Sequence, residues 1–167
     1  HGVDPSLVAV AAGADGIITY LTLVTLDPGD EVVYGWPSFA IYPLAAIRMG
    51  AIPVAVPLTD YRYDVDAILG AINDRTKLVY LCNPNNPTGV VVSAKDVRQL
   101  LDNIPKDMPV LIDEAYHHYV DDPAYGTSIP YVLEGRPVIV ARTFSKIVGL
   151  AAMRLGYAIA PREVGSR

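Results

Sequence analysis

Side chains that can do acid–base and covalent chemistry follow three short apolar runs of this sequence. Asn86 stands after one run, Asp113 and Tyr116 after the next, and Lys146 after a third. A lysine amine attacks carbonyl groups when it is neutral, and burial or a nearby cation favours the neutral form. A carboxylate that ends a buried run is costly unless it is paired, so Asp113 is expected to have a partner. The sequence therefore predicts a site in which an amine, a carboxylate, a phenol and an amide act together.

Two further segments predict a place for an anion. Gly13-Ala14-Asp15-Gly16 opens a predicted helix, and the free backbone N–H groups of a helix start attract phosphate. The hydroxyls of Thr143 and Ser145 precede Lys146, and Arg154 follows that lysine by eight residues. We expect these groups on the same rim as the amine and the carboxylate.

The elements that must position these groups alternate between strand and helix. Short apolar runs predict strands, and most are nearly continuous in Val, Ile, Leu and Ala, which suits burial on both faces. The alternation predicts an α/β domain of three layers, with helices on both faces of a mostly parallel seven-stranded sheet. Ligand sites in such folds gather at the carboxyl ends of the strands. The predicted strands are Leu7–Ala11, Glu31–Gly35, Ile52–Val56, Leu78–Cys82, Val110–Asp113, Val138–Arg142 and Leu155–Ala160.

Helical segments lie between these runs, and each has a residue suited to cap its start. The last predicted strand follows the Lys146 region closely, so it need not be parallel to the others. The predicted helices run from a cap at Asp15 through Leu26, from Ser38 to Met49, from Asp64 through Ile72, and from Ser93 over Ala94–Asn103.

Composition narrows the possible classes of protein. The 167 residues suit one domain, and the net charge of −5 comes without the clustered basic residues that nucleic acid or an anionic membrane would need. No apolar run is long enough to cross a bilayer. The one cysteine, Cys82, forms no internal disulfide, which fits a reducing cytosol.

The chain opens at His1 and stops soon after an apolar run, so we expect both ends to be cuts within a longer protein. A short natural protein that has lost its Met is the alternative.

Four motifs in this order resemble the fold-type-I aminotransferases of class I/II. Within that group the chain is similar to the histidinol-phosphate aminotransferase branch, and two stretches, 27–36 and 39–44, resemble its aromatic (phenylalanine) aminotransferases. The resemblance covers the whole chain as the large domain alone, residues 1–167, without the N-terminal arm and the small C-terminal domain. The motifs are Asn85-Asn86-Pro87-Thr88-Gly89, Asp113-Glu114-Ala115-Tyr116, Thr143-Phe144-Ser145-Lys146 and Arg154.

The resemblance implies that the site holds pyridoxal 5′-phosphate (PLP). Lys146 would carry the cofactor as a Schiff base, and once free would move a proton from the substrate Cα. Asp113 would pair with the pyridine nitrogen, which keeps the ring protonated as an electron sink. Asn86 and Tyr116 would hydrogen-bond the 3′ oxygen, and Phe39 would stack on the ring.

The resemblance also assigns the phosphate end. Arg154 would bind the phosphate in a bidentate contact, and the hydroxyls of Thr143 and Ser145 would lie beside it. The helix-start segment Ala14, Asp15 and Gly16 would complete the cup with backbone amides. The family often has Glu or Ser where Gly16 stands, so one side-chain contact is missing.

Each assignment has a simpler alternative that the sequence leaves open. Lys146 and Arg154 would be surface groups, Asp113 a helix cap and Asn86 part of a plain turn. Tyr116 and Phe39 would be core aromatics, and Thr143 and Ser145 ordinary caps. Trp36 is a guess for the substrate side, Cys82 is expected in the core, and His117 and His118 are expected to be structural or surface groups, since no third ligand is spaced for a metal.

The activity that the resemblance implies is amino-group transfer between an amino acid and a 2-oxo acid. The amino donor would be an aromatic amino acid or histidinol phosphate, and the enzyme would be a homodimer. Another fold-type-I activity, such as a decarboxylase or a β-lyase, is the first alternative. A PLP-sensing regulatory domain joined to a DNA-binding module is the second.

Overall fold

A seven-stranded sheet forms the centre of the computed structural model, which describes residues 1–162. The predicted strands are confirmed, each within two residues of its expected ends. The predicted cut at the end of the chain falls partly on residues 163–167, which lie outside the described part. The strands are β1 (Val8–Ala11), β2 (Glu31–Trp36), β3 (Ile52–Pro57), β4 (Thr76–Cys82), β5 (Val110–Asp113), β6 (Val138–Thr143) and β7 (Gly156–Ile159).

The strands lie in the order β1-β7-β6-β5-β4-β2-β3. Neighbours from β3 to β6 pair in parallel, whereas β7 is antiparallel to both β6 and β1. Because β1 and β6 both oppose β7, they point the same way. The carboxyl ends of β1 to β6 therefore meet at one side of the sheet, which we call the carboxyl edge, and β7 starts there.

Burial differs between the central strands and the two outer strands. Every residue of β5 and β6 is buried, as their continuous apolar sequence predicts. The expectation of burial on both faces is wrong for β1 and β3, which expose much of their length. Both are edge strands with a single neighbour, so one side of each lacks a covering strand.

Helices cover both faces of the sheet, which confirms the three-layer α/β/α class. On the first face, α1 (Gly13–Thr25) and α2 (Ile41–Arg48) pack on the core cluster that contains Tyr80, Leu111 and Ala141. We call this the site face. On the second, or back face, helices pack on alternate strand residues such as Ile112 and Val140. These helices are α3 (Val65–Ala71), α4 (Ala94–Asn103) and α5 (Ile129–Leu133).

Two of the four predicted helix caps are confirmed. The Asp64 side chain accepts from the Ala67 N–H at 2.9 Å, and the Ser93 hydroxyl accepts from the Asp96 N–H at 3.1 Å.

The other two predicted caps are wrong, because their side chains serve other contacts. α1 begins at Gly13, so Asp15 lies inside its first turn, and the Asp15 carboxylate lies 3.6 Å from the Arg154 guanidinium. α2 begins at Ile41, and the Ser38 hydroxyl instead donates to the Asn85 Oδ1 at 2.7 Å.

Residues 1–162 lack two features that would indicate other classes of protein. Over that range, no helix combines the length and the apolar character needed to cross a membrane. The same residues contain no group of three or more His, Cys, Asp or Glu side chains placed to hold a metal ion.

We predict that Gly35→Ala destabilises the protein. A Cβ at this buried position of β2 would lie 2.7 Å from Cδ1 of Tyr63, whose ring is fixed by hydrogen bonds to Asn85 and Cys82. Overpacking of this kind costs roughly 1–3 kcal/mol, measurable by urea unfolding. Gly70→Ala is the control, because within the described residues its Cβ meets nothing inside 4 Å and alanine favours the helix. Equal stabilities for the two variants would contradict the prediction.

Candidate active site

A cavity of about 220 Å³ opens at the carboxyl edge, on the site face. Its walls come from the start of α1, from the ends of β4, β5 and β6 and the loops after them, from the segment before α2, and from the turn before β7. Its lining residues are Ala14, Asp15, Phe39, Cys82, Asn86, Asp113, Ala115, Tyr116, Thr143, Ser145, Lys146, Ala151 and Arg154.

The cavity brings together ten of the eleven residues that the sequence analysis assigned to the cofactor. Gly16 lies outside the lining, because its position in α1 faces the side chain of Ala11. Trp36 is also outside, at the exposed end of β2, where its ring meets Tyr34 edge-on. Cys82 is buried as expected, yet it forms part of the cavity wall.

Asp113 ends β5 as a carboxylate that is 3% exposed. Its Oδ1 accepts from the Ala115 N–H, and its Oδ2 accepts from the Tyr42 hydroxyl, each at 3.0 Å. Burial raises the pKa of Asp113 to about 6, although both hydrogen bonds favour the charged form. The group is therefore poised to lose its proton near neutral pH, and a cation in the cavity would favour that loss.

Tyr42 is a site residue to which the sequence analysis gave no role. Its ring is fully buried and stacks on Tyr80, with 4.8 Å between ring centroids. Phe39 lies three residues earlier and lines the cavity. The Phe39 and Tyr42 rings meet edge-on, with 5.9 Å between their centroids. A buried carboxylate at Asp113 requires a hydrogen-bond donor, and this requirement was the signal in the sequence that could have pointed to Tyr42.

The loop after β4 places the Asn86 side chain at the cavity. Asn83 anchors the loop base, since its side chain exchanges hydrogen bonds with the backbone of Val92 at 3.0 and 2.9 Å. Asn85 is buried, and its Oδ1 accepts from the hydroxyls of Ser38 at 2.7 Å and Tyr63 at 3.0 Å. The segment before Asn86 is thus fixed, and Asn86 itself lines the cavity.

The start of α1 offers free backbone donors. Among the described residues, no side chain caps this helix, so its first N–H groups lack the usual partner. The Arg154 guanidinium lies beside them and contacts the Ser145 hydroxyl at 3.4 Å. Arg154 also holds a left-handed φ of 48°, a conformation that costs energy in a non-glycine residue. Free amides, a hydroxyl and a guanidinium together suit a phosphate group.

Two glycines allow this end of the cavity to form. A Cβ on Gly13 would meet the Arg154 Nη2 at 2.7 Å, and a Cβ on Gly156 would meet the Gly13 Cα at 2.7 Å. Gly13 also adopts a φ of +74°. Any larger side chain at either position would separate the start of α1 from β7 or from the guanidinium.

Lys146 lies in the loop after β6 and is exposed at the cavity mouth. Its Nζ is 5.1 Å from the centre of the Tyr116 ring. The loop is shaped by the Thr143 hydroxyl, which accepts from the Ser145 N–H at 3.0 Å. The amine and the phenol thus face the same space as Asp113.

A larger concavity of about 750 Å³ lies at the opposite side of the sheet. Its charged side chains, such as Lys77 and Asp107, are exposed and come from the amino ends of strands and nearby turns. Its larger volume alone would favour this concavity as the binding site. The buried carboxylate and the convergent polar groups, however, belong to the smaller cavity.

The comparison with known families fits this geometry. The sequence matches the family described as "Aminotransferase class I and II" over residues 1–167. The chain belongs to that family. Among related proteins, an aromatic amino acid aminotransferase of Mycolicibacterium vanbaalenii is 44% identical to this aminotransferase chain over 160 residues. The matched region covers 96% of this chain and 46% of the relative. The chain is 39% identical over 162 residues to a histidinol-phosphate aminotransferase of Caldicellulosiruptor saccharolyticus, covering 97% of the chain and 45% of the relative.

Solved structures show the same fold. The aminotransferase chain superposes on histidinol-phosphate aminotransferase from Sinorhizobium meliloti, solved in complex with pyridoxal-5′-phosphate, with a TM-score of 0.91 and 30% identity. That match covers 98% of this chain and 44% of the other. The chain therefore spans about half the length of the relatives it matches.

We predict that Asp113→Asn stabilises the cofactor-free protein at pH 8 but much less at pH 4. The native pKa of about 6 lies above the unfolded value, so the folded state binds the proton more tightly. The stability that this provides is complete below about pH 4 and is lost as the pH rises through 6. The difference between variant and wild type should grow by roughly 2–3 kcal/mol across that window, from urea unfolding at each pH.

Asp107→Asn, at an exposed carboxylate on the opposite side of the sheet, is the control. The prediction is wrong if the Asp113→Asn difference has the same value at pH 4 and pH 8.

Proposed function

We propose that this chain is the PLP-binding large domain of an aminotransferase, one that exchanges an amino group between an amino acid and a 2-oxo acid. One observation carries the proposal. A lysine, a buried carboxylate, an amide, a phenol and an arginine beside an uncapped helix start all line a single cavity of about 220 Å³. The family and the PLP complex of the Sinorhizobium meliloti relative support it.

The residues of the cavity fit PLP at each of its polar groups. Arg154, the Thr143 and Ser145 hydroxyls and the amides of Ala14 and Asp15 would hold the phosphate. Asp113 would pair with the pyridinium nitrogen, because burial raises the pKa of this carboxyl group and a cation beside it would favour the charged form. Its Oδ2 already accepts from Tyr42, which orients the group without neutralising it.

The ring and its 3′ oxygen would meet the remaining side chains. Asn86 and Tyr116 would donate to that oxygen, Phe39 would lie on one face of the ring, and Lys146 would bind the aldehyde carbon. When bound, PLP supplies an electron sink for the charge that develops at the substrate Cα. The Lys146 amine, once displaced by the substrate, would take the proton from Cα and deliver it to the cofactor side.

The names of the related proteins support a proposal for the substrate class. We propose an aromatic amino acid or histidinol phosphate as amino donor, because proteins with those two names are 44% and 39% identical to this chain. We also propose a homodimer in the cytoplasm. The dimer is supported by the exposed apolar side chains of Ile147, Val148 and Met153, which follow Lys146. A second subunit that packed against them would remove this apolar surface from water.

We predict that Lys146→Ala abolishes covalent PLP binding. The full-length protein is mixed with PLP, and the visible absorbance band of a lysine-bound cofactor is recorded. Wild type and Lys77→Ala should show the band, and Lys146→Ala should lack it, because Lys77 lies at the far side of the sheet. Borohydride reduction followed by mass spectrometry should place the cofactor on Lys146. Equal spectra from wild type and Lys146→Ala would reject the proposal.

We predict that Arg154→Gln weakens binding of PLP but not of pyridoxal, which lacks the phosphate. Loss of a charged hydrogen bond costs about 1.5–3 kcal/mol, or roughly 10- to 100-fold in affinity. Titration by absorbance gives both dissociation constants, and Arg98→Gln, on a surface ion pair with Glu134, is the control. A similar loss for both ligands would exclude the assigned phosphate contact.

A further inference from the structure

A buried ion pair lies behind the cavity, and no step of the proposed mechanism uses it. Arg142 and Glu114 have side chains that are 3% and 1% exposed. Two guanidinium nitrogens of Arg142, Nε and Nη2, donate to the same oxygen of Glu114 at 3.1 and 2.6 Å. Both charges are therefore removed from water and satisfied mainly by each other.

The pair joins the two strand ends that carry the site. Glu114 follows Asp113 at the end of β5, and Arg142 precedes Thr143 on β6. Asp113 pairs with Ala141 in the ladder, and the Glu114 N–H donates to the Ala141 carbonyl at 2.8 Å. Successive strand residues point to opposite faces. Asp113 and Thr143 therefore face the cavity while Glu114 and Arg142 meet on the back face.

A third element fixes the pair from the side. The Thr127 hydroxyl donates to Oε2 of Glu114 at 2.9 Å, and the Ser128 N–H donates to Oε1 at 2.6 Å. Arg142 Nη2 also donates to the Thr127 hydroxyl at 2.9 Å. The segment that leads into α5 thus closes the pair against the sheet, and both carboxylate oxygens are used.

Stability alone is a poor reason for this arrangement. Removing two ions from water costs several kcal/mol each, and an apolar pair of similar volume often stabilises a protein as well or better. What the ion pair adds is fixed geometry. Beyond the last ladder bond two parallel strands are free to separate, and the pair lies at that point.

We propose that Arg142 and Glu114 are positioning residues for the chemistry at Lys146. The pair holds the end of β5, with Asp113 and Tyr116, at a fixed distance from the end of β6, with Thr143 and Lys146. It thereby sets the separation between the partner of the ring nitrogen and the lysine that binds the opposite side of the ring. This inference rests on the proposed function, since it needs PLP to span the two strand ends.

The test uses the full-length protein and two variants of the pair. The double variant Glu114→Gln/Arg142→Gln removes both charges but keeps hydrogen-bonding groups, which avoids an unpaired buried ion. Arg142→Lys keeps the charge but lacks the planar group that donates from two nitrogens to one carboxylate oxygen. Glu31→Gln is the matched control, because Glu31 is a buried carboxylate that binds Arg75 at the opposite side of the sheet.

Three measurements separate positioning from plain stability. Urea unfolding gives the stability of each variant, steady-state kinetics gives kcat and KM, and a pH titration of the bound cofactor's visible band gives its midpoint. We expect the two pair variants to lose about 10- to 100-fold in kcat with a shifted midpoint, because small displacements of reacting groups have effects of that size. Glu31→Gln should lose stability only.

Two results would overturn the inference. One is a folded pair variant with the kcat and the midpoint of wild type. The other is a control variant with the same losses, which would trace them to stability. If the double variant does not fold, Arg142→Lys alone decides by the same criteria. Wild type that shows no cofactor band would overturn the proposed function as well, whereas a normal wild-type band with unaffected pair variants would overturn only this inference.

Discussion

Asp113 is buried, and burial disfavours the charged form of its carboxylate. The surrounding elements supply hydrogen-bond donors that offset part of this cost. β5 carries the carboxylate into the interior, and α2 supplies the Tyr42 hydroxyl at 3.0 Å. The next turn supplies a backbone donor from Ala115. These donors orient the group and moderate the penalty, while the raised pKa shows that part of the penalty remains. Cys82 shares the same wall, and burial raises the pKa of its thiol to about 12, which keeps it uncharged beside the carboxylate.

The alternation of strand side chains lets one pair of strand ends serve two purposes. On the site face, Asp113 and Thr143 line the cavity. On the back face, their neighbours Glu114 and Arg142 form the buried ion pair. The central strands are buried throughout, and in the proposed arrangement their close packing would transmit the spacing of one face to the other. A functional side chain and its support are therefore adjacent in sequence and opposite in space.

Features encoded locally were predictable from the sequence, whereas features that depend on distant contacts were not. The continuous apolar runs predict all seven strands, and the family motifs include Lys146, Asn86 and Arg154, which line the cavity. The predicted caps at Asp15 and Ser38 were wrong because the helices begin at other residues, and each side chain contacts a group far along the chain. The close approach of Gly156 to Gly13 was not predictable from the sequence either, because a glycine in a sequence does not indicate which backbone segment packs against it.

The contact between Gly13 and Gly156 also makes one end of the cavity depend on segments that are far apart in the sequence. β1 pairs with β7 through residues 8–11 and 156–159, so the two ends of the described chain lie together where the start of α1 meets Arg154. Contacts of such large sequence separation are slow to form, because a long loop must close first. On the ribosome, the proposed binding place for the phosphate is incomplete until β7 has been synthesised. In the proposed function, a nascent chain that contains Asp113 and Lys146 but not β7 would lack the contacts assigned to the phosphate and would hold the cofactor less tightly.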